Sequence, residues 1–481
     1  MSGKGPGLPR VSKELMEKAR HALGAVLDVK QMRWDQDLLA TYGHDESDTG
    51  DFLPDLVVFP ESTEEVQAIF RACQQTGVPV TPVAARTGKS GGSLPLCGGV
   101  SMSLERMNQV VSISVEDLTA VVQPGLNTGE LMRQVEAKGL FYPPDPNSWE
   151  MCSIGGNVAE NAGGPRALKY GVTRDYVIGL HWVLPTGEAL RVGRKTIKGV
   201  AGYDLVGLFV GSEGTLGVAT EITLQLLPLP RQVKTALLVF PSVVDAARGV
   251  SAVLAAGILP RTLELLDDVS VRAVDGRGCN FPPGTQAAVI AETDGNAEEA
   301  VFAELAALGE VAQKHGATEI LVAQSEDQRQ KLWAARRVVS TALRAMKPHK
   351  ISEDIAVPRS RIADVIAQLK AMGQELGLTV ATYGHAGDGN LHANILFDGP
   401  HERAKVDQAV ERMLKLTIEL GGTITGEHGV GYAKRDFLAL EQSASVIALQ
   451  RSIKSLLDPK GLLNPGKIFP GHSAAAPQNH R

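Results

Sequence analysis

Two glycine-rich segments in the second half of the chain carry side chains that can bind a metal ion. The first reads Tyr383-Gly-His-Ala-Gly-Asp-Gly-Asn-Leu-His-Ala-Asn394, and the second reads Thr425-Gly-Glu-His-Gly-Val-Gly431. Where the first segment becomes extended, the two-residue period of a strand places His392 and Asn394 on one face, and His385 can fold back beside them. Two imidazoles and a carboxylate form a ligand set for a divalent metal, with positions left for water or substrate.

The competing interpretation is that these histidines are structural. A histidine considered alone is more often a hydrogen-bonded structural residue than a metal ligand. Three of the 11 histidines of the chain, however, lie in these two glycine-rich segments. This concentration favours a metal site, for which zinc is the first choice because the ligands are rich in nitrogen, and manganese or iron is also acceptable.

The first half of the chain contains three clusters of small residues, which are typical of segments that approach a ligand closely. They are Thr87-Gly-Lys-Ser-Gly-Gly-Ser93, Ser153-Ile-Gly-Gly-Asn-Val-Ala-Glu-Asn-Ala-Gly-Gly164 and Gly211-Ser-Glu-Gly-Thr-Leu-Gly217. Backbone N–H groups in such clusters can bind a pyrophosphate. Glycines that only form turns would explain one cluster, whereas three clusters in one domain favour a cofactor.

Two common nucleotide-binding motifs do not fit these clusters. Gly88-Lys89-Ser90 imitates the end of a phosphate-binding P-loop, but Val83 occupies the position that requires the first glycine. The spacing G-x-G-x-x-G of a Rossmann NAD site, followed about 20 residues later by an acidic residue, is absent after a strand. The clusters therefore indicate another kind of cofactor site.

Hydrophobic periodicity indicates the elements that must position these residues. A helix is predicted over 12–25, and a β-α-β unit opens at Leu56, where Ser62 and Glu65 form a capping box. A strand over 220–227 ends at Pro228-Leu-Pro230, the predicted domain boundary. The rest alternates as an α+β layer, without an evident internal repeat. Its predicted elements are strands 235–240, 287–292 and 319–323, a hairpin over 379–397, and helices 243–256, 297–314, 327–346, 359–377 and 402–420.

The composition allows more than one hydrophobic core. The chain has 481 residues, 43% of them hydrophobic, and single cores stop growing at roughly 250–300 residues, so two domains are expected. The formal net charge is -6, and no basic block with interleaved aromatic residues indicates nucleic-acid binding. No apolar run reaches the roughly 18–20 residues that span a bilayer, and the first residues lack the apolar core of a signal peptide. A cytoplasmic protein is expected.

The four cysteines are scattered singly, at positions 73, 97, 152 and 279. Without a C-x-x-C pair, the sequence offers no thiolate set for zinc, for an iron–sulfur cluster or for redox exchange. We therefore expect reduced, structural cysteines.

The region from about Pro54 to Leu227 resembles the flavin-binding domain of the vanillyl-alcohol oxidase/PCMH type. The specific matches are Pro143-Pro-Asp-Pro, Ser153-Ile-Gly-Gly-Asn and Gly211-Ser-Glu-Gly-Thr-Leu-Gly. The resemblance implies an FAD that lies along these loops, and Leu463-Asn-Pro-Gly-Lys467 resembles a closing motif in which the chain returns to the flavin. The implied FAD contacts are Thr87, Gly88, Ser90, Gly91, Gly92, Pro124, Gly125, Ser153, Gly155, Gly156, Asn157, Gly164, Glu213, Gly214, Val218 and Asn464.

The glycine loop departs from the family pattern in one respect. Relatives place Arg-Gly-x-Gly directly before the Thr-Gly, whereas this chain has Val83-Ala-Ala-Arg86, which predicts a less flexible entry to the loop. Some relatives attach the flavin covalently through a histidine in this loop. The loop contains no histidine here, so we expect noncovalent FAD.

The second half is similar to the substrate domain of the FAD-linked 2-hydroxy acid dehydrogenases, a family that includes glycolate oxidase flavoprotein subunits and D-lactate and D-2-hydroxyglutarate dehydrogenases. The motifs G-H-x-G-D-G-N-x-H and G-E-H-G are intact. The resemblance implies that His385, His392 and Glu427 bind the metal. It also implies that Asn394 contacts the substrate and that His428 is the catalytic base.

The proton chemistry of a 2-hydroxy acid explains these residue types. Hydride transfer from the substrate carbon requires the hydroxyl proton to leave, and a divalent metal that binds the hydroxyl and carboxylate oxygens lowers the pKa of that hydroxyl. A histidine with a pKa near 6.5 can then accept the proton near neutral pH.

The substrate carboxylate also needs a cation. Trp333-Ala-Ala-Arg336 matches a W-x-x-R pattern of the family, in which the arginine holds the acid, and a planar guanidinium suits a carboxylate. Arg337 is the competing candidate, and a solvated helix charge is the alternative interpretation. Hydroxyglutarate enzymes place a lysine where this chain has Ser352, with Lys350 two residues away, which argues against a second substrate carboxylate.

The resemblance and the periodicity together predict an α+β protein with five regions. These are an N-terminal helical cap over 1–50, a PCMH-type FAD-binding domain over 51–230, a ferredoxin-like α+β substrate and metal domain over 231–460, a return to the flavin over 461–470 and a disordered tail over 471–481.

The implied function is FAD-dependent oxidation of a small 2-hydroxy acid, glycolate or D-lactate, to the 2-oxo acid. The electron acceptor is expected to be an iron–sulfur subunit, another protein or a quinone, and association with a membrane would then occur through a partner. Two alternatives stay open: a D-2-hydroxyglutarate dehydrogenase, and a flavin-binding subunit of a larger complex. The sequence leaves the oligomeric state open.

Overall fold

The computed structural model describes residues 8–277 and 280–471. The predicted tail over 471–481 and Cys279 therefore lie, apart from Gly471, outside the described residues. None of the helices in these ranges is both long enough and apolar enough to cross a lipid bilayer.

The first half contains two main sheets with seven helices. Its strands are β1 (Met32–Arg33), β2 (Leu56–Val58), β3 (Val80–Val83), β4 (Val100–Ser103), β5 (Val110–Ser114), β6 (Thr119–Val122), β7 (Leu140–Phe141), β8 (Val177–Val183), β9 (Ala189–Gly193), β10 (Val218–Gln225) and β11 (Leu227–Pro228). Its helices are α1 (Lys13–Gly24), α2 (Gln36–Thr41), α3 (Thr63–Thr76), α4 (Thr128–Glu136), α5 (Ile154–Glu160), α6 (Ala167–Tyr170) and α7 (Leu205–Phe209).

The two sheets of the first half differ in topology. The smaller sheet has the order β1-β2-β4-β3, in which β4 pairs in parallel with both β2 and β3. The larger sheet has the order β5-β6-β10-β8-β9 and is antiparallel. Val183 and Val218 of the larger sheet share a buried apolar cluster with Val58 and Val100 of the smaller one, so the two sheets pack together.

Helix α3 shows how local sequence sets an element. Ser62 caps its first turn by accepting a hydrogen bond from the backbone N–H of Glu65, at 3.2 Å, and Gly77 ends it in the left-handed conformation. The reciprocal bond differs from the predicted capping box, because the Glu65 carboxylate accepts from the N–H of Glu61 at 2.7 Å. The predicted helix itself is confirmed.

The second half is one seven-stranded sheet covered by helices. Its strands are β12 (Gln232–Phe240), β13 (Thr262–Asp267), β14 (Ala287–Gly295), β15 (Glu319–Val322), β16 (His349–Ala356), β17 (Thr379–His385) and β18 (Asn390–Phe397). Its helices are α8 (Val243–Ala255), α9 (Asp268–Val274), α10 (Glu298–Lys314), α11 (Glu326–Arg337), α12 (Val339–Arg344), α13 (Ile362–Leu376), α14 (Arg403–Glu419), α15 (Leu438–Glu441) and α16 (Ala444–Leu457).

The strand order reveals two ferredoxin-like units side by side. The sheet runs β15-β12-β14-β13-β17-β18-β16, and the first four strands form one β-α-β-β-α-β unit. Strands β16, β17 and β18, with α13 and α14 and a bridge from Ala356 to Thr423, repeat that arrangement. The units join where β13 pairs with β17. The sequence showed no repeat because the second unit shares topology rather than residue pattern with the first.

Most predicted helices and strands of the second half are confirmed to within one or two residues. The elements that differ from the prediction are ones that carry residues of the candidate site. The predicted helix over 327–346 is two helices, α11 and α12, which meet at Val338. Strands β13 and β16 were not predicted.

Candidate functional site

The predicted metal ligands meet because their strands pair in register. His385 lies opposite Glu264 across β13 and β17, and His392 lies opposite Asp354 across β16 and β18 and opposite Tyr383 across β17 and β18. Directly opposed residues of a sheet have neighbouring side chains. The sheet therefore places two imidazoles between two buried carboxylates.

Glu427 completes the cluster from the glycine-rich segment that follows α14. Its Oε1 atom lies 3.5 Å from Nε2 of His385 and 3.6 Å from Nε2 of His392. A tetrahedral ion with ligand bonds of about 2.1 Å holds its ligand atoms roughly 3.4 Å apart. The observed spacing, too long for good hydrogen bonds, thus fits a divalent metal, and the structure brings the three predicted ligands together.

Glu264 orients His385. The Glu264 Oε1 atom is 2.5 Å from Nδ1 of His385, and Oε2 accepts a hydrogen bond from Nε of Arg336 at 2.6 Å. Burial alone would raise the pKa of Glu264, but the adjacent cations His385 and Arg336 lower it to about 2. A carboxylate on one ring nitrogen directs the other nitrogen at the metal, so Nε2 of His385 faces Glu427.

The two imidazoles differ electrostatically. Burial favours the neutral ring of His385, but the carboxylates of Glu264 and Glu427 outweigh it and raise the pKa of His385 well above its usual value. Burial and the charges of His385 and His428 lower the pKa of His392 well below its usual value. His392 is therefore already in the neutral form that binds a metal.

Asp354 holds the segment that contains Glu427 and His428. Its Oδ2 atom accepts hydrogen bonds from the backbone N–H groups of residues 426, 427 and 428, at 2.8, 2.8 and 2.9 Å. Its Oδ1 atom accepts from the side-chain amide of Asn390 at 2.6 Å. An alternative ligand set of Asp354, His392 and His428 also clusters here, but the bonds of Asp354 are already committed to the loop.

His428, the predicted base, lies beside the three predicted metal ligands. Its ring stacks on that of His392 with centroids 5.5 Å apart, and it lines the large cleft described below. Burial lowers the pKa of His428, although the Asp354 carboxylate opposes this shift. A neutral imidazole can accept a proton, so the position suits a general base.

Arg336 and Asn394, the other residues predicted to contact the substrate, lie in different environments from each other. Arg336 lines the cleft, with its guanidinium 4.8 Å from the ring centre of Tyr383. Its terminal nitrogens have no hydrogen-bond partner within residues 8–277 and 280–471. Arg337 also lines the cleft. Asn394 is fully buried and not part of the lining, and its side-chain N–H donates to the backbone oxygen of His392 at 3.0 Å.

A cleft of about 1570 Å³, counting its open mouth, connects the two halves of the chain. Its lining joins the glycine clusters to Arg336, His392, Glu427 and His428. The predicted FAD contacts that line it are Thr87, Gly88, Gly92, Pro124, Ser153, Gly155, Gly156, Asn157, Glu213, Gly214 and Val218.

The lining has groups that fit a polar cofactor. The Oγ atom of Ser153 and Oε2 of Glu160 are buried without a hydrogen-bond partner among the described residues. A Cβ atom added at Gly88 would meet only Glu160 Oε1, at 4.0 Å, so the backbone there is open to a ligand. FAD, which offers phosphates, hydroxyls and ring heteroatoms, suits such a cradle.

Five residues predicted to contact FAD do not line the cleft but support the backbone that forms its walls. A Cβ atom at Gly125 would lie 2.2 Å from the backbone oxygen of Leu104, and at Gly164 it would lie 2.3 Å from that of Asp145. Ser90, Gly91 and Asn464 form the back of the glycine loop. Asn464 donates to the backbone oxygens of Gly92 and Glu213, at 2.9 and 3.1 Å.

Arg86, whose role the sequence left open, takes a left-handed conformation with φ of 58°. Its guanidinium lies 4.4 Å from the ring centre of Tyr42, and the residue lines the cleft. The sequence predicted no role for Glu264, Asp354 or Lys467, although Lys467 stands in the predicted closing motif. Lys467 donates to the backbone oxygens of Gly91 and Leu94, each at 2.6 Å.

Two family models match the chain and together cover both halves. One, described as an FAD binding domain, matches residues 54–193. The other, described as FAD linked oxidases, C-terminal domain, matches residues 229–468.

Curated relatives match over most of their length. The glycolate oxidase subunit GlcD of Bacillus subtilis (strain 168) is 42% identical over 89% of this chain and 92% of its own. The D-lactate dehydrogenase of Anaerostipes hadrus is 35% identical over 95% and 98% of the two chains. A D-2-hydroxyglutarate dehydrogenase of Xanthomonas citri pv. viticola is 35% identical over 91% and 93%.

Solved structures share the fold at low identity. Substrate-bound p-cresol methylhydroxylase superposes with a TM-score of 0.81 at 18% identity, covering 96% of this chain and 98% of that one. The 4-ethylphenol oxidase of Gulosibacter chungangensis has a TM-score of 0.77 at 21% identity, with coverage of 96% and 98%. The predicted PCMH-type fold is confirmed.

Proposed function

Because the chain belongs to the family of FAD-linked oxidases, we propose that it oxidises a small 2-hydroxy acid, glycolate or D-lactate, to the 2-oxo acid. The electrons would pass to a partner protein, such as an iron–sulfur subunit, or to a quinone. The observation that carries the proposal is the single cleft whose walls join the glycine loops to the cluster of His385, His392 and Glu427.

Residues of the second half of the chain line one end of the cleft, and we assign each of them a separate role toward the substrate. FAD, if bound, would supply a hydride acceptor, and a divalent ion, which His385, His392 and Glu427 would hold, would lower the pKa of the substrate hydroxyl. The free terminal nitrogens of Arg336 bind the substrate carboxylate, and a ring nitrogen of His428 accepts the hydroxyl proton. Glu264 holds Arg336 and His385, and Asp354 holds the backbone of Glu427 and His428, so the carboxylate and the hydroxyl meet groups of fixed position.

One observation favours the alternative of a D-2-hydroxyglutarate dehydrogenase. Lys350 donates to the hydroxyl of Ser340, which lines the cleft, at 2.6 Å. Burial, with the charges of Lys89 and Arg344, lowers the pKa of Lys350 to about 7. A second carboxylate on the substrate would find these cations near the cleft. Ser352, in place of the lysine of hydroxyglutarate enzymes, supports a monocarboxylate instead.

The FAD is proposed to be noncovalent because residues 87–93 contain no histidine. A flavin-binding subunit with an inactive site is the less favoured function, since the predicted metal ligands, His428 and Arg336 all lie at or beside one cleft.

The test is anaerobic reduction of the bound flavin by glycolate, D-lactate, L-lactate and D-2-hydroxyglutarate, compared side by side. We expect rapid bleaching by glycolate or D-lactate and much slower bleaching by the other acids. Fastest bleaching by D-2-hydroxyglutarate would select the alternative, and no bleaching by any of the four would refute the proposed function.

A further inference from the structure

The loop that carries Glu427 and His428 is suspended between two buried carboxylates, one from each half of the chain. We call residues 426–431 the base loop. Asp354, in the second half, accepts the N–H groups of residues 426–428, as described above. Glu213, in the first half, accepts the N–H groups of Val430 at 3.0 Å and of Gly431 at 2.5 Å. The two side chains thus bracket the position of the His428 ring.

The backbone conformation of Glu213 is unfavourable for a residue with a side chain, which indicates that its carboxylate has a role. Its φ is 53°, in the left-handed region that side chains disfavour and that Gly211 and Gly214, on either side, adopt without difficulty. The turn is fixed further by a hydrogen bond from its N–H to the backbone oxygen of Ala159 at 2.8 Å. A glycine would fit this turn better, so a nearly buried glutamate here points to a role for the carboxylate.

That carboxylate forms no salt bridge within residues 8–277 and 280–471. Lys467, a cation whose charge acts on this carboxylate, donates instead to backbone oxygens of the glycine loop. Each Glu213 oxygen accepts one amide of the base loop. A Cβ atom at Gly429, between the two attachment points, would lie 2.2 Å from Glu160 Oε2, so the loop is pressed against the wall of the FAD cleft.

We propose that Glu213 is a positioning residue that fixes the base loop, and with it the ring of His428, relative to the FAD cleft. Asp354 sets the same loop relative to the metal ligands on the sheet. Loss of Glu213 therefore releases the flavin-facing end of the loop while Glu427 keeps its place at the metal. This inference rests on the proposed function and assigns the carboxylate to the loop rather than to direct contact with FAD.

The test is Glu213→Gln, which leaves one acceptor oxygen and turns an NH₂ group toward a backbone N–H. We expect amide hydrogen exchange of residues 429–431 to accelerate by about 10-fold or more in the FAD-free and the FAD-loaded protein. Flavin reduction at saturating substrate should fall by roughly 10- to 100-fold, the cost of a small misplacement of the base. The dissociation constants of FAD and substrate, and the metal content, should stay nearly unchanged.

The matched control is Ser212→Ala, which alters a neighbouring buried hydroxyl that has no hydrogen-bond partner among the described residues and should change none of these readouts. Should Glu213→Gln fail to fold, Glu213→Asp, which keeps the charge but withdraws it by one methylene, is expected to show the same pattern.

Unchanged exchange of residues 429–431 in a folded variant would overturn the proposal. So would loss of FAD affinity without faster exchange, which would make Glu213 a cofactor contact. Hydrogen exchange needs no substrate, so an error in the proposed substrate does not affect this result.

Discussion

At the scale of single residues, the site consists of ligands that the sequence could reveal and partners that it could not. His385, His392 and Glu427 stand in glycine-rich motifs, whereas Glu264 lies between two leucines of β13 and Asp354 follows Glu353 in β16. Their role depends on cross-strand register, which one sequence does not contain. A charged residue inside an otherwise apolar run is still a usable signal, because a buried charge needs a partner.

Glu264 should therefore control the affinity of the metal. In Glu264→Gln, one amide oxygen cannot accept from both His385 and Arg336, so the His385 ring loses its fixed orientation. We expect metal affinity to weaken by roughly 10- to 100-fold, as is typical for loss of a carboxylate behind a metal-binding histidine. Competition with a chromogenic chelator measures this directly.

The control is Glu292→Gln. It changes a buried carboxylate on the adjacent strand β14. This carboxylate accepts hydrogen bonds from the side chains of Thr235 and Trp333, each at 2.6 Å, rather than from a predicted metal ligand. Equal metal affinity in Glu264→Gln and the unaltered protein would show that Glu264 does not act on the site.

At the scale of elements, most long helices and several buried strands could be predicted from the sequence, whereas β13 and β16 could not. Every residue of β13 is buried, and β18 is likewise buried along its whole length. Such strands lack the alternation of polar and apolar residues that identifies a half-buried strand. The hairpin over 379–397 was predicted because its glycine-rich turn marked it, whereas β13 has no comparable turn signal.

The segment from Ser153 through α5 forms one wall of the cleft and gives a prediction at this scale. A Cβ atom at Gly155 would lie 2.5 Å from Cβ and 2.8 Å from the backbone oxygen of Pro124, whereas one at Gly156 would make only ordinary contacts at 3.6 Å. Gly155→Ala should lower the free energy of unfolding of the FAD-free protein by about 1–3 kcal/mol, the usual cost of overpacking.

Gly156→Ala is the matched control, and it should keep or slightly raise that free energy, because alanine favours a helix. Urea unfolding of both variants without FAD makes the comparison. Equal stability of the two variants would mean that α5 does not pack on Pro124 as described.

At the scale of the whole molecule, the loops predicted to bind FAD and the predicted metal ligands belong to different halves, which contact each other through side chains. Asp294, on β14, accepts from Lys169 at 2.6 Å and from Tyr170 at 2.7 Å, which both lie in the first half. Residues 432 and 433, directly after the base loop, donate backbone hydrogen bonds to Ser90 of the glycine loop, and Lys467 donates to Gly91. The sequence indicated two domains, but the cleft between them depends on contacts between residues far apart in the chain.

The predicted FAD contacts and the predicted metal ligands lie in different halves of the chain, so the metal can be removed without removing FAD. The most direct measurement is therefore anaerobic flavin reduction before and after metal removal. If His385, His392 and Glu427 hold an ion that binds the substrate, chelation should leave FAD and its absorbance in place while abolishing bleaching by glycolate or D-lactate. Dithionite should still bleach the flavin, and added zinc should restore the reaction with substrate. Full substrate-driven bleaching in protein shown by elemental analysis to lack stoichiometric metal would contradict the account.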